Sequence, residues 1–246
     1  MIEPRPVVLL TGASRGIGHS TVKFFHQHGW QTLTLARTPF SYQCEDESAQ
    51  SRHIVGDLSN LEQIDQIAAT VRSKIPDGKL HALVNNAGIS PKDADGKRLG
   101  LAQTTSAIWQ QVMNVNLISI SLLTCALIPN LVAAKGAIVN VTSIAGSHVH
   151  PFASAAYAAS KAALSALTRE MAHEFGHAGV RANAVSPGEI RTSILSPGTD
   201  QLVEREVPMR RLGEPDEVAK TIFFLCGGDS TFINGTEVHI NGGQHV

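Results

Sequence analysis

Cysteine is scarce in this 246-residue chain, and the three present, Cys44, Cys125 and Cys226, stand far apart. That spacing gives neither a disulfide framework nor the paired ligands of a structural zinc site, so all three are read as reduced thiols. Charge of one sign is missing too. The formal net charge is −1, which leaves no basic excess to neutralise nucleic-acid phosphates, and nucleic acid is not an expected partner. The opening segment lacks a long hydrophobic run: only residues 7–10 are consecutively apolar, too few for a signal-peptide core or a membrane span. A cytoplasmic location with no membrane attachment is therefore expected. The eleven histidines are read as offering no H-x-x-x-H pair with an acidic third ligand at zinc-protease spacing, and no metal is expected. No internal repeat or Pro/Ser-rich linker divides the chain, so residues 1–246 are read as one domain.

What is present is enough apolar residue, 43% against 17% charged, to build one large core. Short apolar runs at 7–10, 32–36, 53–56, 82–84, 137–141, 181–185 and 237–240 read as strands, several of them continuous enough to be covered on both faces. Helical patterns fill the intervals. They run over 15–27, from Ser59 to near Pro76, over 106–134 with an interruption near Asn114, over 155–177 and over 216–225. Gly29 suits the exit of the first helix, and Ser59 with Glu62 reads as a capping box at the start of the second. Strands alternating with helices throughout predict an α/β domain built on one doubly wound parallel sheet with helices on both faces.

Between the first strand and the first helix lies Thr11-Gly12-Ala13-Ser14-Arg15-Gly16-Ile17-Gly18. Glycines at this spacing let the backbone turn tightly and approach a pyrophosphate, which free N–H groups and the helix N-terminus favour. The second strand ends in Ala36-Arg37-Thr38, with no acidic residue to bond a ribose 2′-hydroxyl. Arg37, with Arg15 near it, can instead offer planar forks to a 2′-phosphate, so NADP(H) is expected over NAD(H). Tyr157 and Lys161 are four apart in an alanine-rich helix and share a face. An ammonium near a phenol favours the phenolate, which lowers a pKa that starts near about 10 toward the range useful for proton transfer.

With these motifs in order, the sequence resembles the short-chain dehydrogenase/reductase family over essentially its whole length. It is similar in particular to the compact 3-oxoacyl-[acyl-carrier-protein] reductases. The family's T-G-x-x-x-G-x-G is met by Thr11 to Gly18, its N-N-A-G by Asn85-Asn86-Ala87-Gly88, its Y-x-x-x-K by Tyr157 and Lys161, and its P-G by Pro187-Gly188. The resemblance implies a Rossmann-type fold and a hydride transfer between nicotinamide and a small-molecule carbonyl or secondary alcohol. It also implies the catalytic set Asn116, Ser143, Tyr157 and Lys161, with Asn114 as the lesser candidate for the asparagine. Tyr157 would exchange a proton with the substrate oxygen and Ser143 would hydrogen-bond it. Lys161 would lower the phenol's pKa and bond the nicotinamide ribose, while Asn116 would hold a water leading to solvent. Cofactor contacts are implied for Gly12, Ser14, Arg15, Gly16, Ile17, Gly18, Arg37, Asp57, Leu58, Asn86, Ala87, Gly88, Tyr157, Lys161, Pro187, Gly188, Ile190 and Thr192.

Three stretches are read as substrate loops. The first is 90–105, which is polar; the second is 144–156, thirteen residues that include His148, His150 and Phe152; the third is 193–206, where Pro197-Gly198 is expected to break any helix. His148 and His150 are left outside the catalytic set. The resemblance implies a homotetramer, with a dimer as the alternative, and alanines 155, 158, 159, 162, 163 and 166 suit close helix packing. Other functions compete with this one, among them an epimerase or dehydratase sharing the tyrosine–lysine pair, which would normally need a longer C-terminal substrate region. A NAD-dependent dehydrogenase of a sugar, polyol or steroid-like alcohol is disfavoured by Arg37, and a non-catalytic nucleotide sensor would have no need of the tyrosine and lysine.

Overall fold

The computed structural model describes residues 5–38, 52–192, 195–196 and 198–246. Cys44 and the polar stretch after Phe40 lie outside them. Seven strands form one parallel sheet: β1 Val7–Thr11, β2 Gln31–Ala36, β3 His53–Val55, β4 Ala82–Asn85, β5 Ala137–Val141, β6 Arg181–Pro187 and β7 Glu237–Ile240. Their order is β3-β2-β1-β4-β5-β6-β7. The chain winds outward from β1 to β3, then returns to lay β4 on the other side of β1. This leaves a crevice at the carboxyl ends of β1 and β4, the usual ligand position in such sheets.

The helices are α1 Gly16–Gln27, α2 Ile64–Ser73, α3 Ser106–Met113, α4 Ser119–Ala134, α5 Ala155–Gly176, α6 Thr199–Glu206 and α7 Pro215–Cys226. Successive residues of a strand face opposite ways, and β1 shows the result. Val7 and Leu9 join Ile67 and Val71 of α2, Leu123 and Leu127 of α4 and Leu164 of α5 in one core. Val8 and Leu10 join Val22 and Phe25 of α1 and Val218 and Ile222 of α7 in the other. Both faces of the sheet are covered, which is why the central strands read as short, largely apolar runs.

A chain of polar residues crosses this interior from β4 to α5. Asn85 Nδ2 donates to Asn140 Oδ1 at 2.9 Å, and Asn140 Nδ2 donates to Thr168 Oγ1 at 2.9 Å, linking β4, β5 and α5. All three residues are buried.

The structure departs from the sequence reading of the elements in two places and locates the interruption expected in a third. Ser59 does not cap α2: Asp57 Oδ1 takes both its N–H and its hydroxyl at 2.9 Å, and Asn60 instead accepts from the Glu62 N–H. A short 3-10 turn, Leu61–Gln63, then precedes the helix. Pro197-Gly198 does not keep a helix out of the third loop, because Gly198, at φ +88°, is the N-cap of α6. A glycine in the left-handed region can launch a new helix as readily as it ends one. The interruption expected near Asn114 is a π-turn, Asn114–Ile118, between α3 and α4.

The path Ser106–Ala134 is long and apolar enough to cross a membrane by length and composition. The sequence reading weighed only the opening residues for such a span. Ile120, Leu123, Leu127 and Leu131 of this path are buried in the core, while Leu122 and Val132 are exposed.

Candidate active site

One cavity of about 540 Å³ opens at the crevice between β1 and β4, within the usual size of a ligand pocket. Its first wall is the turn after β1. Thr11 Oγ1 accepts the N–H groups of Asn86 and Ala87 at 3.1 and 3.0 Å, and Asn86 Nδ2 donates back to the Gly12 carbonyl at 2.9 Å. The glycine turn and the Asn85-Asn86-Ala87-Gly88 segment are thereby locked together. Gly12 sits at φ +70°, and a Cβ there would meet the Ala87 backbone at 2.8 Å. A Cβ on Gly18 would lie 2.2 Å from the Gly12 carbonyl oxygen. No side chain of the kind this sequence could supply fits at either position.

The N-terminus of α1 faces this turn without a side-chain cap and without an acidic residue in its first turn. Helices normally satisfy those N–H groups with Ser, Thr, Asp or Asn, and leaving them open to a cavity suits an anion. Arg15, Arg37 and Asp57 line the same end.

The other end carries the chemistry. Ser154 caps α5 by accepting the Tyr157 N–H at 3.3 Å, which places Tyr157 in the helix's first turn and Lys161 one turn on. Ser143 Oγ accepts the Ala145 N–H at 3.2 Å and lies close enough to Tyr157 to pull its pKa down. Lys161, 3% exposed, donates from Nζ to the Val141 carbonyl at 2.6 Å and lies 5.6 Å from the centre of the Tyr157 ring.

Electrostatics depart from the simple pairing of phenol and ammonium. Burial pushes the Tyr157 pKa up, the Ser143 hydrogen bond pulls it down, and the charge of Glu189 pushes it up again. The net direction is upward, against the expected lowering. The Lys161 ammonium is itself lowered to about 8 by burial and is committed to a backbone carbonyl. Burial is the largest influence on both groups.

Asn116 is the one expected site residue that does not line the cavity. In the π-turn behind the wall, its Nδ2 donates to the Ile89 carbonyl and to Ser160 Oγ, both at 3.0 Å, and its Oδ1 accepts the Ile89 N–H at 2.9 Å. Both amide protons are used, so its side chain clamps the loop after Gly88. Asn114 bonds Gln110 and the Ser59 carbonyl instead. The remaining expected residues, from Gly12 to Thr192, all line the cavity.

The family model described as enoyl-(acyl carrier protein) reductase matches residues 12–245. Protein FixR of Bradyrhizobium diazoefficiens is 50% identical over 245 residues, 99% of this chain and 88% of that protein. The chain belongs to the short-chain dehydrogenase/reductase family. The 3-oxoacyl-[acyl-carrier-protein] reductase FabG of Thermotoga maritima is 32% identical, covering 96% of each chain. Among solved structures, an oxidoreductase of this family from Brucella ovis, in complex with a partially ordered NAD, superimposes with a TM-score of 0.84 at 47% identity, over 97% of this chain and 100% of that one. A 3-oxoacyl-[acyl-carrier protein] reductase with bound NAD from Brucella melitensis gives 0.87 at 30% identity, over 99% and 92%. The chain is thus an NAD(P)-binding oxidoreductase acting on CH–OH or carbonyl groups.

One ionisable cavity residue escaped the sequence reading. Glu189 follows the Pro187-Gly188 pair, and Nε2 of His150, read as a substrate-loop residue outside the catalytic set, meets its Oε1 at 2.5 Å. An ionisable side chain beside a segment expected to line nicotinamide was the available signal. His148, by contrast, is exposed and bonds Ser147. The sequence also spells His173-Glu174-Phe175-Gly176-His177, a His-Glu-x-x-His string. Both histidines are exposed at the end of α5, and no group of three potential metal ligands occurs among the described residues.

Proposed function

We propose that this chain is an NADPH-dependent reductase of a ketone or a 3-oxoacyl-type carbonyl. The observation that carries the reading is the convergence of Ser143, Tyr157 and Lys161 at one end of a cavity whose other end is an uncapped helix N-terminus wrapped by glycines. Gly12, Ser14, Gly16, Ile17 and Gly18 would hold the pyrophosphate, Asp57 and Leu58 the adenine side, and Pro187, Gly188, Ile190 and Thr192 the nicotinamide. The dinucleotide, when bound, supplies the hydride.

The chain's own residues supply the rest. The substrate oxygen takes a hydrogen bond from the Ser143 hydroxyl and a proton from the Tyr157 hydroxyl as negative charge develops on it. A tyrosine whose pKa is held up is the protonated species that reduction requires. Lys161, buried beneath the ring, holds positive charge near the phenolate left behind, and Asn116 fixes the loop that closes over Gly88. NADPH rather than NADH is supported by Ala36-Arg37 at the end of β2, where Arg37 and Arg15 line the cavity together, although two of the Brucella relatives carry NAD. A homotetramer is supported by the exposed Leu122 and Val132 of α4 and the alanine-rich sequence of α5. A cytoplasmic location goes with that reading.

The test is turnover of a ketone panel with NADPH and with NADH, followed at the nicotinamide absorbance, for wild type and Tyr157→Phe. The variant should bind NADPH normally and lose about 10²- to 10⁴-fold in kcat. Retention of most of the activity would remove Tyr157 from its role.

A further inference from the structure

Glu189 is a carboxylate with 8% of its side chain exposed, in the wall of the cavity beside Tyr157. An ionised carboxylate offers about four acceptor sites. Among the described residues one hydrogen-bond donor reaches it, His150 Nε2 at 2.5 Å, and no lysine or arginine pairs with it. The protonation of that histidine is fixed by its other nitrogen. His150 Nδ1 accepts the Phe152 N–H at 3.2 Å, so Nδ1 carries no proton and Nε2–H donates to Glu189. The ring is thereby held edge-on between the Phe152 backbone and the Glu189 carboxyl group.

The nearby cations are committed elsewhere. Lys161 Nζ bonds the Val141 carbonyl, and Lys92 Nζ bonds Ser196 Oγ. Enclosing a carboxylate with so few partners is unfavourable unless another donor completes its shell. Its position in the cavity wall makes the substrate the group able to do so.

We propose that Glu189, oriented by His150, is a specificity-determining residue that accepts a hydrogen bond from a hydroxyl or ammonium group on the carbon next to the reacting carbonyl. The preferred substrates are then hydroxy- or amino-ketones. Ketones bearing a carboxylate at that position meet like charge, and 3-oxoacyl thioesters present an acceptor where the wall also offers an acceptor. This narrows the reductase reading above and rests on it.

The experiment compares kcat/KM with NADPH for four ketones of matched size: one with an adjacent hydroxyl, one with an adjacent ammonium, one with neither and one with a carboxylate. Wild type should favour the donor-bearing ketones over the plain one by about 10- to 100-fold, as a hydrogen bond to a charged group allows. Glu189→Leu should bring the ratio to near unity and raise the carboxylate ketone relative to the others. His150→Phe should also shrink the ratio, because Glu189 then loses its fixed orientation; loss of folding alone would lower all four substrates together. Equal wild-type rates on the four ketones would overturn the proposal while leaving the reductase reading intact. So would a Glu189→Leu effect that appears as weaker NADPH binding with an unchanged ratio. If wild type binds NADPH and turns over none of the ketones, the reductase reading fails and this proposal fails with it.

Discussion

Lys161 is a cation enclosed by the fold, and burial moves its pKa from 10.5 to about 8. That displacement corresponds to about 3 kcal/mol of penalty on the charged form, at about 1.4 kcal/mol per tenfold change. The sign follows from which state keeps the proton. Below pH 8 the ammonium is charged in both the folded and the unfolded chain, and the full penalty weighs on the folded state. Between pH 8 and 10.5 the unfolded chain holds a proton that the folded chain has released, so the contribution of Lys161 to stability rises with pH. Above 10.5 both forms are neutral and the penalty is gone.

Lys161→Met removes this titration and leaves the Val141 carbonyl without its donor, a loss of about 1–3 kcal/mol. The cofactor-free variant should therefore equal or exceed wild type in stability at pH 7, by up to about 2 kcal/mol, while losing turnover. Its advantage should then decline by about 3 kcal/mol as pH rises to 10.5. Urea unfolding of both proteins from pH 7 to 10.5, without dinucleotide and at one protein concentration, reads the difference, since groups remote from Lys161 titrate alike in both. A difference that stays constant with pH would refute the reasoning, and so would a variant clearly weaker than wild type at pH 7.

Arg37→Ala should raise the Kd for NADPH by about 10- to 100-fold and leave that for NADH nearly unchanged, as fluorescence titration would show; equal losses would remove the phosphate role. Gly18→Ala places a Cβ 2.2 Å from the Gly12 carbonyl and 2.6 Å from Asn86 Nδ2, and it should lower the thermal midpoint by an amount corresponding to about 1–3 kcal/mol or more. A variant as stable as wild type would show that the turn can shift. At the start of α7, Glu217 is held down to about 2 from 4.5, first by its bidentate bonds to Arg211 and then by the Glu214 N–H. Its contribution to stability is complete above the unfolded pKa and is lost as pH falls from about 4.5 toward 2. Arg211→Ala should consequently move the acid-unfolding midpoint upward, though modestly, because the pair is exposed.

Sheet strands were legible because the sheet is covered on both faces, which Val7–Thr11 announces as four consecutive apolar residues and Ala137–Val141 as an apolar run broken only by Asn140. The glycine turn and the Tyr157–Lys161 pair were legible because their spacing carries the geometry. The start of α2 was not, since Ser59 and Asn60 are both competent caps and only the position of Asp57 decides between them. The direction of the Tyr157 shift was hidden for a related reason. Spacing along a helix brings Lys161 near the ring, but the burial of both groups and the charge of Glu189, thirty-two positions away, arise only when β6 and α5 come together. Asn116 was found by its place in the motif, yet its amide is spent on Ile89 and Ser160, contacts that no local pattern encodes.

The Asn85–Asn140–Thr168 chain answers a difficulty that a sheet of this kind creates for itself. Strands lined with similar aliphatic side chains on both faces can slide past one another and still find acceptable neighbours, so apolar packing alone defines their alignment poorly. An amide pair between β4 and β5 accepts one alignment, and any slip strands two buried amides. Asn86 follows β4 directly and Ser143 lies two residues beyond β5, so this interlock acts as a key that sets the relative height of the glycine-turn anchor and the serine beside Tyr157. It serves as a vernier for the reaction centre, and its dismantling would show first as misplaced chemistry in a protein that still folds.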